Sequence, residues 1–210
     1  MRTIHMKLRY LFSALLILIS CGPSSETTGK PAGETVPAGA AVAIFAGGCF
    51  WCMEGPFEKL DGVYAVESGY TGGKEVNPSY EEVSAGITGH VEAVRIHYDA
   101  KKVTFEQLLD TYWMQIDPTD KGGQFADRGR QYRPVLFYAN EKEKATIQAS
   151  REKLEKSKRF SAPIVVAIEP AGPFYRAEEY HQDYYKKNPD HYNRYREGSG
   201  RGPFLRRIWQ

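Results

Sequence analysis

Ala41-Val42-Ala43-Ile44-Phe45-Ala46 is a short apolar run that stops at Gly47-Gly48, and Cys49-Phe50-Trp51-Cys52-Met53-Glu54 follows directly. A run of that length reads as a buried strand. Beyond it Phe50, Met53, Phe57 and Leu60 recur at helical spacing. The chain must therefore pass from strand to helix through two glycines while carrying a pair of thiols. Pro56 interrupts the periodicity, so the helix begins or bends there. A cysteine at such a junction feels the helix N-terminus, which favours the thiolate, and the thiolate is the nucleophile.

A Cys-x-x-Cys pair supports several readings. Zinc usually takes four ligands, and no second pair is present; His90, His97, His181 and His191 lie at no ligand spacing, so no metal is expected. In a thioredoxin-like oxidoreductase the tryptophan precedes the first cysteine, whereas Phe50 and Trp51 lie between the two thiols here. That aromatic pair makes an apolar pocket suited to a small hydrophobic group. Core aromatics beside inert buried thiols would look the same, and the residues alone leave these readings open.

The rest of the body supplies the elements of one domain. Val63 to Tyr70 and Val91 to Tyr98 read as strands, Tyr132 to Tyr138 and Ile164 to Ile168 as two more. Thr104 with Gln107 makes a capping box in front of an amphipathic helix running to about Met114. Asn140 with Glu143 opens a charged helix that ends in Lys153, Lys156 and Lys158, the right sign for its C-terminal dipole. Asn77 to Tyr80 and the polar stretch Asp117 to Gln131 read as loops of the kind that carry function. Strands and helices mix without strict alternation, which predicts an α+β fold, helices on a mainly antiparallel sheet. Six of the 14 tyrosines fall between Tyr175 and Tyr195. They read as amphipathic cover for the core, with their hydroxyls in water.

The N-terminus has the look of a leader. Arg2, Lys7 and Arg9 precede an apolar stretch from Leu11 to Ile19 that is too short to span a bilayer. Leu18-Ile19-Ser20-Cys21 resembles the lipobox of a bacterial lipoprotein signal. By that resemblance residues 1–20 are a signal peptide and Cys21 is the lipidated first mature residue. Residues 21–40, rich in Gly, Pro, Ser and Thr, read as a flexible tether, with a reach of roughly 25 Å. The protein is then expected to be exported and anchored to a membrane on its periplasmic side. Gly22 lacks the aspartate associated with inner-membrane retention, which points to the outer membrane. With Cys21 modified, only Cys49 and Cys52 can form an intramolecular disulfide. The net charge of +2 includes three basic leader residues, so the mature chain is near neutral and nucleic acid is not an expected partner.

Gly48-Cys49-Phe50-Trp51, Gly69-Tyr70-Thr71-Gly72-Gly73, Asn77-Pro78-Ser79-Tyr80, Thr88-Gly89-His90-Val91-Glu92, Asp117-Pro118-Thr119-Asp120 and Asp127-Arg128-Gly129-Arg130-Gln131-Tyr132-Arg133 occur in this order. Together they resemble the A-type peptide methionine sulfoxide reductases, over about residues 41–195. The resemblance implies a catalytic domain over 41–210, a two-layer αβ sandwich with a ferredoxin-like core and long loops. The implied substrate is the S epimer of methionine sulfoxide, free or in oxidised proteins. It makes Cys49 the nucleophile, and Phe50 with Trp51 the wall of a methyl pocket. Glu92 becomes the acid, Tyr80 and Tyr132 the phenols that hold the sulfoxide oxygen, and Asp127 the carboxylate completing the polar wall. No cofactor is implied beyond an external dithiol reductant such as thioredoxin. Ser84-Ala85 stands where some relatives carry a resolving cysteine, which leaves Cys52 as the resolving thiol; Ile116 stands where some carry histidine.

Overall fold

The structure, a computed structural model, describes residues 36–209. Cys21, the leader and most of the tether lie outside the described residues. Among the described residues no helix is long and apolar enough to cross a membrane.

In chain order the elements begin with β1 (Ala41–Ala46), α1 (Phe50–Glu58), β2 (Val63–Thr71), α2 (Tyr80–Ser84), β3 (Val91–Tyr98) and α3 (Phe105–Trp113). There follow β4 (Gly123–Gln124), β5 (Asp127–Arg128), β6 (Val135–Tyr138), α4 (Glu141–Lys156), β7 (Ala167–Pro170) and β8 (Tyr175–Arg176). The chain ends in α5 (Tyr184–Lys187), α6 (Pro189–Gly198) and α7 (Arg201–Trp209). Six strands form one sheet in the order β7-β6-β1-β3-β2-β8. Its central strands β6, β1, β3 and β2 are antiparallel neighbours, and β1-α1-β2 and β3-α3-β6 each carry the chain past the strand between them. That is the split βαβ arrangement of a ferredoxin-like core. Only β7 lies parallel to its neighbour, β6.

The two faces of the sheet differ, as the period of two along each strand requires. Phe45, Val94, Ile96 and Leu136 turn to one face and pack with Phe57, Leu108, Leu109 and Tyr112 of α1 and α3. Phe45 sits 5.8 Å from Phe57 and 5.5 Å from Tyr112, ring centre to ring centre. The opposite face carries the smaller cluster of Val91, Ala93, Val135 and Phe137. It also carries Glu67, bonded to Arg95 at 2.7 Å and His97 at 2.9 Å across the β2–β3 pair. Glu92 shares the parity of Val94 and Ile96, so it faces the helices at the end of β3 that meets the N-terminus of α1.

Several boundaries depart from the sequence reading. Helix α1 runs through Pro56 instead of starting there; the missing N–H would have reached the Cys52 carbonyl, and the helix closes at Glu58 within a turn. Asn77 to Tyr80 leads into α2, whose capping box pairs Ser79 with Glu82. The polar stretch 117–131 contains the β4–β5 hairpin and passes into a 3-10 turn at Arg130–Tyr132, which delays β6 to Val135. The last expected strand begins at Ala167, on the sheet edge, where Pro170 needs no ladder hydrogen bond.

Candidate active site

The junction after β1 is a sharp turn. Gly48 has φ +82°, a conformation that side chains disfavour, and a Cβ there would sit 2.6 Å from Gln124 Cβ. Cys49 caps α1 with its backbone, and Cys52 N–H donates to the Cys49 carbonyl at 3.0 Å. Both thiols are free and buried. Residues three apart on a first helical turn lie about 5–6 Å apart, within reach of a disulfide.

Around Cys49 is a pocket of about 140 Å³. Phe50 and Trp51 of α1 form its apolar side. Tyr80 from the start of α2, Glu92 from β3, Asp127 from β5 and Tyr132 from the 3-10 turn converge on it. Every site residue that the sequence reading proposed within residues 41–210 is therefore gathered at one place, Cys52 lying just beneath in α1. A larger cleft of about 420 Å³ lies beside the end of α4, lined by Leu154, Phe160, Pro163 and Ile164; it holds no thiol and no phenol.

Electrostatics separate the roles these groups can take. Glu92 is 2% exposed, and burial pushes its carboxyl up to about 8, opposed by the Phe50 N–H that donates to Oε2 at 3.0 Å. It is a neutral acid at pH 7, with one oxygen held and the other left to carry the proton. Asp127 is raised by burial too, held in check by the Tyr195 hydroxyl that donates to it. Burial lifts Tyr80 to about 12 and raises Tyr132, so both phenols are protonated donors.

The expected thiolate at Cys49 is not the resting state. Burial raises its thiol well above the ordinary value, and the hydrogen bond with Cys52 and the nearby Glu92 and Asp127 add to this. A helix N-terminus is worth at most about 2 kcal/mol, and at this buried site desolvation outweighs it. Cys52 moves the other way, to about 7, through the hydrogen bond from Cys49 and the charge of Arg201.

The tail contributes more than cover. Tyr195 lines the pocket, and Tyr184 stacks on Trp51 at 3.7 Å with the rings 7° from parallel. Trp51 Nε1–H donates to His181 Nδ1 at 3.1 Å, fixing the indole across 130 residues of chain. Glu178 accepts from the Tyr70 hydroxyl at 2.7 Å and from the Tyr80 N–H at 3.0 Å, which fixes the start of α2. Several tail tyrosines, expected to turn their hydroxyls to water, instead reach partners inside, Tyr185 donating to Glu58 and Tyr195 to Asp127. The density of tyrosine was the one available signal. Ile116, where some relatives carry histidine, is fully buried and touches the space beside Gly47.

Among the described residues the acidic trio Glu54, Glu58 and Asp183 could surround a cation. Lys186 already fills that place, with Nζ 2.6 Å from Glu58 and 2.7 Å from Asp183.

A buried thiol pair, a neutral carboxylic acid, protonated phenols and an apolar wall can deliver two electrons and a proton to a small polar group carried on an apolar chain. The peptide methionine sulfoxide reductase family model matches residues 41–210. Over 168 residues, 80% of this chain and 93% of the relative, the sequence is 55% identical to peptide methionine sulfoxide reductase MsrA of Bacillus licheniformis. The MsrA of Bacillus subtilis is likewise 55% identical over 168 residues, 80% of this chain and 95% of the relative. Among solved structures, reduced Mxr1 from Saccharomyces cerevisiae matches with TM-score 0.69 and 32% identity over 75% of this chain and 90% of that one. Methionine sulfoxide reductase A of Corynebacterium diphtheriae matches with TM-score 0.65 and 32% identity, covering 73% and 77%.

Proposed function

The chain belongs to the peptide methionine sulfoxide reductase family and is a reductase of methionine sulfoxide, and from that premise we propose how its own residues carry the reaction, where it works and what renews it. Cys49 attacks the sulfoxide sulfur, whose methyl group lies against Phe50 and Trp51. Tyr80 and Tyr132 donate to the sulfoxide oxygen, and Glu92 protonates it as the S–O bond breaks. The oxygen passes to Cys49: thiol plus sulfoxide becomes sulfenic acid plus methionine. The observation that carries this is the convergence on one pocket of Cys49 with Glu92, a carboxyl raised to about 8 by burial. An acid that is protonated at neutral pH is what oxygen departure needs.

Cys52 then attacks the sulfenic acid, a disulfide forms and the oxygen leaves as water. Its depressed thiol, at about 7, and its place one helical turn from Cys49 support that role. A dithiol reductant of the thioredoxin kind exchanges the disulfide back to two thiols. Mxr1 from Saccharomyces cerevisiae has been solved in complex with Trx2, a fold match at 23% identity. No prosthetic group enters the sequence of steps. The lipobox-like Leu18-Ile19-Ser20-Cys21 supports an exported protein held to a membrane by lipid on Cys21 and repairing oxidised proteins of the cell envelope.

A single-turnover assay on the reduced chain against separated epimers of a methionine sulfoxide amide tests the chemistry. The expected result is methionine from the S epimer only, with two thiols lost per product. Product from neither epimer, with disulfide exchange intact, would overturn it. Labelling with radioactive palmitate, abolished by Cys21→Ser, tests the anchor; unlabelled wild-type protein in a bacterium that processes lipoproteins sinks it.

A further inference from the structure

Arg201, near the end of the chain, is 0% exposed, yet among the described residues it enters no ion pair. Its Nη1 donates to the Gln115 carbonyl at 2.6 Å and its Nη2 to the Gly47 carbonyl at 3.0 Å. The guanidinium lies 4.8 Å from the centre of the Phe125 ring. A Cβ on Gly48 would come within 2.7 Å of Nη2, so the cation rests against the backbone immediately before Cys49. Two neutral carbonyls and a ring are poor recompense for removing a full charge from water. An anion must form nearby for the arrangement to be worthwhile.

The groups able to supply one surround Cys49. We infer that Arg201 is a positioning residue of the thiol site: it pins the Gly47–Gly48 turn and provides the fixed positive charge against which the Cys49–Cys52 pair ionises. This rests on the assignment of the chemistry to those two thiols. Arg201 favours the charged forms of Cys52, Glu92 and Asp127, which come from three different elements. Facing the pair are also the phenols Tyr80, Tyr132, Tyr192 and Tyr195, neutral because burial raises each. Arg196 of α6 is the second cation that Cys52 feels, and Glu92 and Asp127, when charged, oppose ionisation. Arg196 is half-buried, whereas Arg201 is wholly enclosed and unscreened.

The test is the pH dependence of thiol alkylation by iodoacetamide in the reduced full chain carrying Cys21→Ser, with no sulfoxide present. Arg201→Met is expected to raise the alkylation midpoint by about one pH unit and slow the reaction about tenfold at pH 7. Arg201→Lys keeps the charge and is expected to restore most of the midpoint, even where thermal stability falls. A folded Arg201→Met protein with the wild-type midpoint overturns the inference, because a purely structural arginine would change the melting temperature alone. Should Arg201→Met not fold, Arg201→Gln replaces it against Arg201→Lys, and equal midpoints in that pair overturn it as well. Alkylation needs no substrate, so this outcome is independent of whether the wild-type chain reduces the S epimer.

Discussion

Glu92 shows how one side chain acquires a role from its surroundings. On β3 its parity turns it toward α1, the Phe50 N–H fixes one oxygen, and burial keeps the carboxyl protonated up to about pH 8. Glu92→Gln should therefore slow the first round of methionine formation by about 10²–10⁴-fold while substrate affinity changes little. Rapid-quench kinetics at saturating sulfoxide would check this, and an unchanged rate would remove Glu92 as the acid. The wild-type first-round rate should decline as pH rises through about 8, where the acid loses its proton. That decline should be absent from the residual rate of Glu92→Gln. Cys52 acts one step later. Cys52→Ser should give one methionine per chain and then stop when thioredoxin is the only reductant; continued turnover at the wild-type rate would exclude it as the resolving thiol.

At the scale of elements, what could be read in advance was local. The capping box at Thr104 and the Asn140 cap announced α3 and α4 because cap and helix lie within four residues of each other. Ser79 with Glu82 carries the same signature for α2, hidden by a helix of only five residues and by Pro78 before it. Strand β1 showed itself by an apolar run ending in glycine and β3 by Val91, Val94, Ile96 and Tyr98 interleaved with charged residues, whereas β7 shares only Ala167 and Ile168 with the run expected to form it and β8 is a two-residue edge strand. Cys49, Phe50 and Trp51 were legible in the residues themselves, whereas Tyr80, Glu92, Asp127 and Tyr132 were found by likeness to a family, since a blind reading of Glu92 in a strand favours solvent. His181, Tyr184 and Tyr195 escaped because what they touch lies far away in the chain. Gln182 is the clamp that makes such contacts regular. It accepts from Ser68 N–H at 3.0 Å and donates to the Ser68 and Ala177 carbonyls, both at 2.9 Å, so the tail is stitched to β2. Gln182→Ala should cost about 1–3 kcal/mol by leaving buried backbone groups unpaired. Urea unfolding measures this, and an unchanged midpoint would show the tail to be held by its aromatic contacts alone.

For the molecule as a whole, two buried acids set the response to pH. Glu54 and Glu92 are both raised by burial to about 8, against about 4.3 in an unfolded chain. Between those values the native state holds protons that the unfolded state has released, so the contribution of these acids to stability is greatest at the low-pH end of this window, falls as pH rises through about 8 and levels off above it. The melting temperature should drop between pH 5 and 9, and Glu54→Gln, which keeps the acceptor for the Asp183 N–H, should flatten the curve. A curve that is level in the wild type would contradict the neutral state of both acids. The docking of the tail has a further consequence for how the protein comes into being. Thiols, acid and phenols up to Tyr132 are all made early, but Trp51 has no stacking partner until Tyr184 is joined, Asp127 no hydroxyl before Tyr195, and the turn at Gly47 no guanidinium before Arg201. A chain that stops short of α7 on the ribosome thus bears its reactive cysteines without a finished pocket, and catalytic competence becomes a certificate that translation passed Arg201.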